Sequence, residues 1–440
     1  MKEAETSNSM STGLERVMER ARKNPSGKMR SLAHHVDIEA LRRSFHRIRE
    51  NAAVGVDGVT KQAYGENLEE NLADLQSRLK GMTYRHQTIR RVQLPKGGGK
   101  TRPIGISTTE DKIVQGAVSE LLGAIYEQEF MDCSYGFRPG RSAHDAIKAL
   151  NRSIRHGEAE WILKTDVSAF FDSMDRPMLR GMIEERIDDK SLMRLIGKCV
   201  HVGVLDGAEF QTPEDGTVQG SILSPLLGNV YLHHVIDRWY EAEVKPRMRG
   251  RTCVIRYADD LLFGFEERED AERVMAVLGK RLGRYGLSLS ADKTELLDFR
   301  RPPREQQEGK GPSTFDFLGF THYWRRSRQG RWYPAWKTRM KSLKKAVKEN
   351  QSWCKANRHL SIPEQHAALT RCIQGHFNYF GVNGNHRSLS MLRIKVERAW
   401  FRWLRRRSQR TRLTWERFKS ILKDFPLPPV KVYKNMWTAP

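Results

Sequence analysis

Two apolar runs, CVIRY (253–257) and LLFGF (261–265), are separated only by Ala258-Asp259-Asp260. Runs this apolar and this close pair as an antiparallel hairpin whose strands lie inside the molecule, which already requires a sheet with a covered face. The tip of that hairpin carries two adjacent carboxylates. Carboxylates beside buried strands repel each other and lose hydration, a cost that a bound cation removes. The tetrapeptide Tyr257-Ala258-Asp259-Asp260 taken alone also reads as an exposed turn, because aspartate is common in turns.

A second apolar strand, Trp161–Asp166, likewise ends on an acid and runs into KTDVSAFFD (164–172). Carboxylates at two strand ends are the construction that two-metal phosphoryl transfer requires. Mg²⁺ suits such a site because it takes carboxylate oxygens together with phosphates; Mn²⁺ can substitute. As a plainer role, Asp166 could cap the residues that follow, and Asp172 and Asp175 read as caps or solvated charges.

Around these strands the pattern alternates. Helices are expected over about 37–50, 68–79, 109–129, 142–155, 176–199 (with a break), 221–244 and 270–285. Strands are expected at 90–94, 103–106, 296–299 and 317–321. After residue 338 the pattern is helical and basic, over about 338–356, 363–380, 386–408 and 414–423. The fold class is therefore α+β followed by α.

Charge divides the chain at the same place. Residues 321–440 carry 28 Lys+Arg against 5 Asp+Glu, leaving 49 against 48 in the first 320 residues. Eight of the ten tryptophans also lie after residue 321. Self-repulsion on that scale calls for a polyanion, and aromatic faces can stack on bases, so this region is expected to bind nucleic acid, RNA above DNA. Most of its tryptophans are expected in its core. No apolar run approaches the roughly 18 residues needed to span a bilayer, so no membrane partner is expected. The five cysteines are scattered singly, without a CxxC pair. That pattern argues against a structural zinc site or a disulfide framework and fits a reducing cytosol.

Eight segments occur in an order that resembles a known family. They are LPKGGGKTRPIGI (94–106), SYGFRPGRSAHDA (134–146), KTDVSAFFD (164–172), GTVQGSILSPLLGNVYLHHVID (216–237), RYADDLLF (256–263), LSADKTE (289–295), FDFLGF (315–320) and GHFNYFGV (375–382). From about residue 37 to 430 the chain resembles a group II intron-encoded reverse transcriptase/maturase of bacterial type. No cysteine/histidine cluster follows, so a form without the His-Asn-His endonuclease is expected. TVQG stands where the family usually has TPQG. A rival, the P-loop, fails because its first glycine would fall on Leu94.

The resemblance implies a right-hand polymerase: fingers and palm with an antiparallel palm sheet over 37–325, then an all-α thumb/maturase domain over 326–424. By their own residues, positions 1–36 are expected to form a weakly ordered extension, apart from a short amphipathic stretch around Leu14–Arg22, and 425–440 a tail. The resemblance also implies that two Mg²⁺ ions are held by Asp166, Asp259 and Asp260, with Val167 in the metal-holding set. Lys293 stands where the family places a lysine that protonates pyrophosphate; a surface lysine is the plain alternative. The incoming dNTP would meet Lys96 and Arg102 of the fingers hairpin, Gln219, Gly220 and Phe171, whose ring would exclude a ribose 2′-hydroxyl. Simple core packing is the alternative for Phe171. Phe317, Leu318 and Gly319 match the primer grip. Arg402, Arg405, Arg406, Arg407 and Arg410 form a candidate RNA-binding cluster, with a solvated helix face as the alternative. The partners implied are an RNA template, a DNA primer, dNTPs and group II intron RNA, in the bacterial cytosol or nucleoid. A domesticated reverse transcriptase in phage defence or DNA repair, and an RNA-binding splicing cofactor, are the alternative roles.

Overall fold

The computed structural model describes residues 12–97, 100–206, 209–211, 216–217, 220–304, 313–408 and 413–437. The first elements are α1 (Thr12–Lys23), α2 (Ile38–Arg47), α3 (Lys61–Gly65) and α4 (Leu68–Lys80). Asp37 starts α2 by accepting from Ala40 N at 2.8 Å, as an N-cap acid should. The fingers hairpin follows, β1 (Ile89–Gly97) and β2 (Lys100–Ile106). The long α5 (Thr109–Tyr126) is buried along most of its length, and α6 (Ala143–Arg155) opens on a reciprocal Ser142–Asp145 capping box.

The palm sheet contains β3 (Trp161–Asp166), β6 (Thr252–Tyr257), β7 (Asp260–Phe265) and β8 (Glu295–Asp298), in the order β6-β7-β3-β8 with every pair antiparallel. Helices α7 (Arg176–Arg186), α8 (Lys190–Val200), α9 (Ser224–Leu232) and α10 (Arg268–Gly283) accompany it. Two short strands, β4 (Val204–Asp206) and β5 (Glu209–Gln211), extend the fingers sheet to β2-β1-β4-β5. Fingers and palm share one continuous apolar core.

A three-stranded sheet, β9 (Phe315–Phe317), β10 (Phe320–Arg326) and β11 (Trp332–Thr338), leads into α11 (Met340–Ala356), α12 (Ile362–Phe380), α13 (His386–Arg405) and α14 (Trp415–Asp424). These helices have their own core, centred on Leu369, Ile373, Phe377, Val396 and Trp400. A small cluster of Ile147, Phe320, Trp336, Val382 and Met436 joins palm, sheet and C-terminal segment.

Several expectations need correction. The amphipathic stretch expected around Leu14–Arg22 forms α1, but from residue 12 onward the rest of the N-terminal segment is anchored rather than weakly ordered. Leu14, Val17, Ala21 and Leu32 are buried, Asp189 accepts from the backbone N–H of Leu32 and Ala33, and Arg186 donates to Ala21 O at 3.0 Å. These anchors come from residues more than 150 positions away, beyond the reach of any local pattern. The all-helical region begins at Met340 rather than 326, because β11 intervenes. The C-terminal tail is packed: Lys434 bridges to Val382, and Leu427 and Met436 are buried. The strand expected over 317–321 is interrupted by a hairpin turn at Leu318-Gly319, both with positive φ. The helix expected over 221–244 is regular only to Leu232 and continues in wider π-type turns at His233–Asp237 and Tyr240–Val244. Among the eight tryptophans after residue 321, Trp324, Trp332, Trp336 and Trp400 are buried, while Trp437 is exposed.

Candidate active site

The register of the palm sheet brings the acids together. Asp166 at the end of β3 pairs directly with Asp260 at the start of β7, and Tyr257 closes the same hairpin opposite Asp260. Ala258 and Asp259 form the tip. Ala258 has φ +55, a left-handed conformation that a residue with a Cβ adopts only when its surroundings fix it.

A buried network fixes it. Gly136 lies so close that a Cβ there would sit 2.3 Å from Ala258 N. The Gly136 carbonyl accepts from Asn229 Nδ2 at 2.8 Å, and the Asn229 carbonyl oxygen accepts from Arg256 at 2.8 Å. Arg256 also makes two-pronged contact with Asp237, at 2.8 and 2.6 Å, with both side chains fully buried. Burial alone would raise the Asp237 carboxyl. The Arg256 guanidinium, hydrogen-bonded to it, and the nearby His233 ring, 3.8 Å away, hold it below its ordinary value. The ion pair therefore supports the β6 end from which the acidic turn projects.

The electrostatics of the acids follow from crowding. Burial first, then the neighbouring charges of Asp259 and Asp166, push the Asp260 carboxyl up to about 6. Asp259 is raised by burial and by Asp166, while Arg102 and Lys293 pull it back. Lys293 lies in the turn Ala291–Lys293 and donates to Asp166 Oδ2 at 2.5 Å. That turn is held on β3 by Ser290 N to Asp166 O (2.9 Å) and by the Thr165–Thr294 hydroxyl contact (3.0 Å). Lys293 is thus brought into the acidic cluster, although half of its side chain is exposed. Among the described residues no three His, Cys, Asp or Glu side chains are gathered tightly enough to hold a metal ion as they stand. Asp166 is already engaged by Lys293. The donor set still fits a hard divalent cation: three carboxylates at one sheet end, two of them driven toward neutrality by burial and each other. Val167 is buried, so only its backbone could contribute.

Phe171 sits half-buried five residues after Asp166, its ring 5.1 Å from that of Phe170. Its carbonyl accepts from Thr217 N at 2.6 Å, and a Cβ at Gly228 would lie 3.3 Å from its ring. Phe170, the core member of the pair, is 3% exposed. Gly220 adopts φ +109 and leaves no room for a side chain, since a Cβ would be 2.4 Å from Gly105 O of β2. The loop before α9 is therefore pressed onto the fingers hairpin. Arg102 of that hairpin is exposed, and its charge reaches Asp259 and Asp172. The Lys96 side chain, Gln219 and Arg410 lie outside the described residues.

At the turn after β9, Leu318 O accepts from Tyr379 Oη at 2.8 Å and Gly319 O accepts from Arg339 N at 2.9 Å. The turn is thus held by the residue that precedes α11 and by α12. Burial first, then Tyr257 and Asp260, push the Tyr379 phenol up to about 12. Arg402, Arg405, Arg406 and Arg407 are exposed around the end of α13. Arg406 lies 5.5 Å and Lys355 5.8 Å from the Trp403 ring. Arg407 instead donates to the carbonyls of His359 and Leu360, so it also has a structural task.

The reverse transcriptase (RNA-dependent DNA polymerase) family model matches residues 94–322, more than half of the chain. The chain belongs to the reverse transcriptase family. It is 32% identical over 269 residues to the group II intron-encoded protein LtrA of Lactococcus lactis subsp. cremoris, covering 59% of this chain and 45% of that protein. It is 33% identical over 275 residues to protein YkfC of Escherichia coli, covering 55% and 71%. Nuclear intron maturase 2, mitochondrial, of Arabidopsis thaliana matches at 28% over 180 residues, covering 32% and 24%. The chain therefore spans about half the length of LtrA. Among these relatives, LtrA is named as group II intron-encoded and the Arabidopsis protein as an intron maturase.

Sequence reasoning missed Asp237, Arg256, Asn229, Gly136 and Tyr379. One signal was present: an arginine inside the apolar strand CVIRY demands a buried acid. Which acid answers it depends on how α9 and its continuation pass behind the sheet.

Proposed function

We propose that this chain extends a DNA primer on an RNA template by two-metal nucleotidyl transfer. The observation that carries the reading is the register that sets Asp166 opposite Asp260, with Asp259 at the adjoining tip. Asp166, Asp259 and Asp260 would hold Mg²⁺, which when bound acidifies the attacking 3′-hydroxyl and stabilises the leaving pyrophosphate. Arg102 and Lys96 of the fingers hairpin clamp the triphosphate, with Gln219 and Gly220 shaping the pocket. Lys293, beside Asp166, donates a proton to the pyrophosphate. Phe317, Leu318 and Gly319 set the primer end. The exposed α13 arginines bind RNA backbone, template–primer and intron RNA alike. The likeness to intron-encoded and maturase proteins supports assistance to splicing of a host intron.

The deciding experiment is primer extension on an RNA template with Mg²⁺ and either dNTPs or NTPs. Extension with dNTPs alone is expected. Phe171→Ala should then admit ribonucleotides, lowering the preference for dNTPs by at least about tenfold, since only a ring's contact is removed. Unchanged sugar selectivity would remove Phe171 from the pocket. No extension with either nucleotide would leave RNA binding as the chain's main work.

Charge reversal at Arg402 and Arg405 tests the RNA surface. Removing one phosphate neutralisation lowers the salt dependence of log K by about 0.9 for duplex. Binding of template–primer should weaken and its salt slope flatten; an unchanged slope would return these arginines to a solvated helix face.

A further inference from the structure

Phe137 is 56% exposed, more than any other large apolar residue described, and has φ +58. A bulky residue takes that conformation only under constraint. Both sides supply it. Before it, Tyr135 N donates to Arg256 O at 2.8 Å, and Gly136 is wedged against Ala258 of the acidic turn. After it, the Arg138 guanidinium pairs with Glu127 at 3.0 Å, donates to Met131 O and Ser134 O, and lies 5.3 Å from the Phe130 ring. The chain is pinned on either side of a ring that packs on nothing comparable, one residue from the contact with the acidic turn.

Its side of the sheet points to a partner. The segment holding Phe137 bridges to the outer edge of β6 at Ser134–Arg256. Phe171, the proposed contact of the incoming sugar, follows β3, two strands away across β7. If Phe171 meets the nucleotide sugar on the β3 side, the opposing base of the pair would lie across the sheet, on the β6 side where the Phe137 segment bridges to Arg256. We propose that Phe137 is the platform on which the templating base stacks. The proposal rests on the polymerase reading given above. Base–aromatic stacking serves any sequence, because every base has a π face.

Phe137 is exposed, so Phe137→Ala removes little packing, and alanine leaves the backbone no freer than before. Single-nucleotide insertion by the full chain should be measured opposite a normal template base and opposite an abasic position. Phe137→Ala is expected to lower kcat/KM for the dNTP roughly tenfold opposite the normal base. Phe137→Trp should restore it, and the deficit of the alanine variant should vanish opposite the abasic position. Equal insertion opposite the normal base, or a deficit that persists without it, would overturn the platform. A second readout needs no turnover: 2-aminopurine at the templating position of a saturating template–primer. Its fluorescence should differ between the unaltered chain and Phe137→Ala. A chain that fails to extend yet shows this difference would refute the polymerase reading and keep the platform; identical fluorescence would refute the platform whatever the activity.

Discussion

Asp259→Ala is expected to lower primer extension by on the order of 10³-fold while leaving template–primer affinity unchanged. The two effects separate because the acid sits at the tip of the β6–β7 hairpin, whereas the basic excess lies after residue 321. Stability gives a further check. Asp259 is raised by burial and by Asp166, and in turn helps raise Asp260. Removing it relieves repulsion, so the melting temperature without metal should hold or rise. Loss of RNA binding together with synthesis, or a marked fall in melting temperature, would make the acid a structural element.

Arg256→Leu is expected to destabilise the fold by about 3–5 kcal/mol, because it leaves Asp237 buried and unpaired. Thermal or denaturant unfolding would measure it. The double change Arg256→Leu with Asp237→Leu should recover much of the loss, since the uncompensated charge is gone. Extension should stay impaired in the double variant, because Asn229 and the Ala258 turn still lack their guanidinium. Recovery of both stability and activity would show that the network serves packing alone. The pH dependence has a definite sign. The Asp237 carboxyl is held below its ordinary value, so the pair's stabilisation is full above the unfolded pKa of about 3.9. It is lost as pH falls through the lower folded value.

Much of the candidate site could be read along the chain because it is built from strand ends. An apolar strand that stops on an acid, as at Asp166, announces both the strand and the charge. The tight β6–β7 hairpin puts Asp259 and Asp260 at its tip, with Asp260 opposite Tyr257. Glycines were legible as glycines but not as contacts: Gly136 and Gly220 matter because backbone from another segment passes within reach of a missing Cβ. Lys293 read equally well as a surface lysine, and its ion pair with Asp166 spans 127 residues. The N-terminal helix was legible as an amphipathic stretch but its anchoring was not, for a similar reason. Its few apolar positions are a weak local signal, and its anchors, Arg186 and Asp189, belong to distant segments.

The sequence by itself determined the α+β character, the acidic hairpin, the basic helical end and the family, because these depend on local periodicity, composition and motif order. Tertiary structure alone decided the pairing of Asp166 with Asp260, the Asp237–Arg256–Asn229 support, the hold of Tyr379 on the Leu318 turn and the display of Phe137. Each of these depends on which distant backbone passes close by. That choice is made by burial summed over the whole core, and no window of sequence contains it.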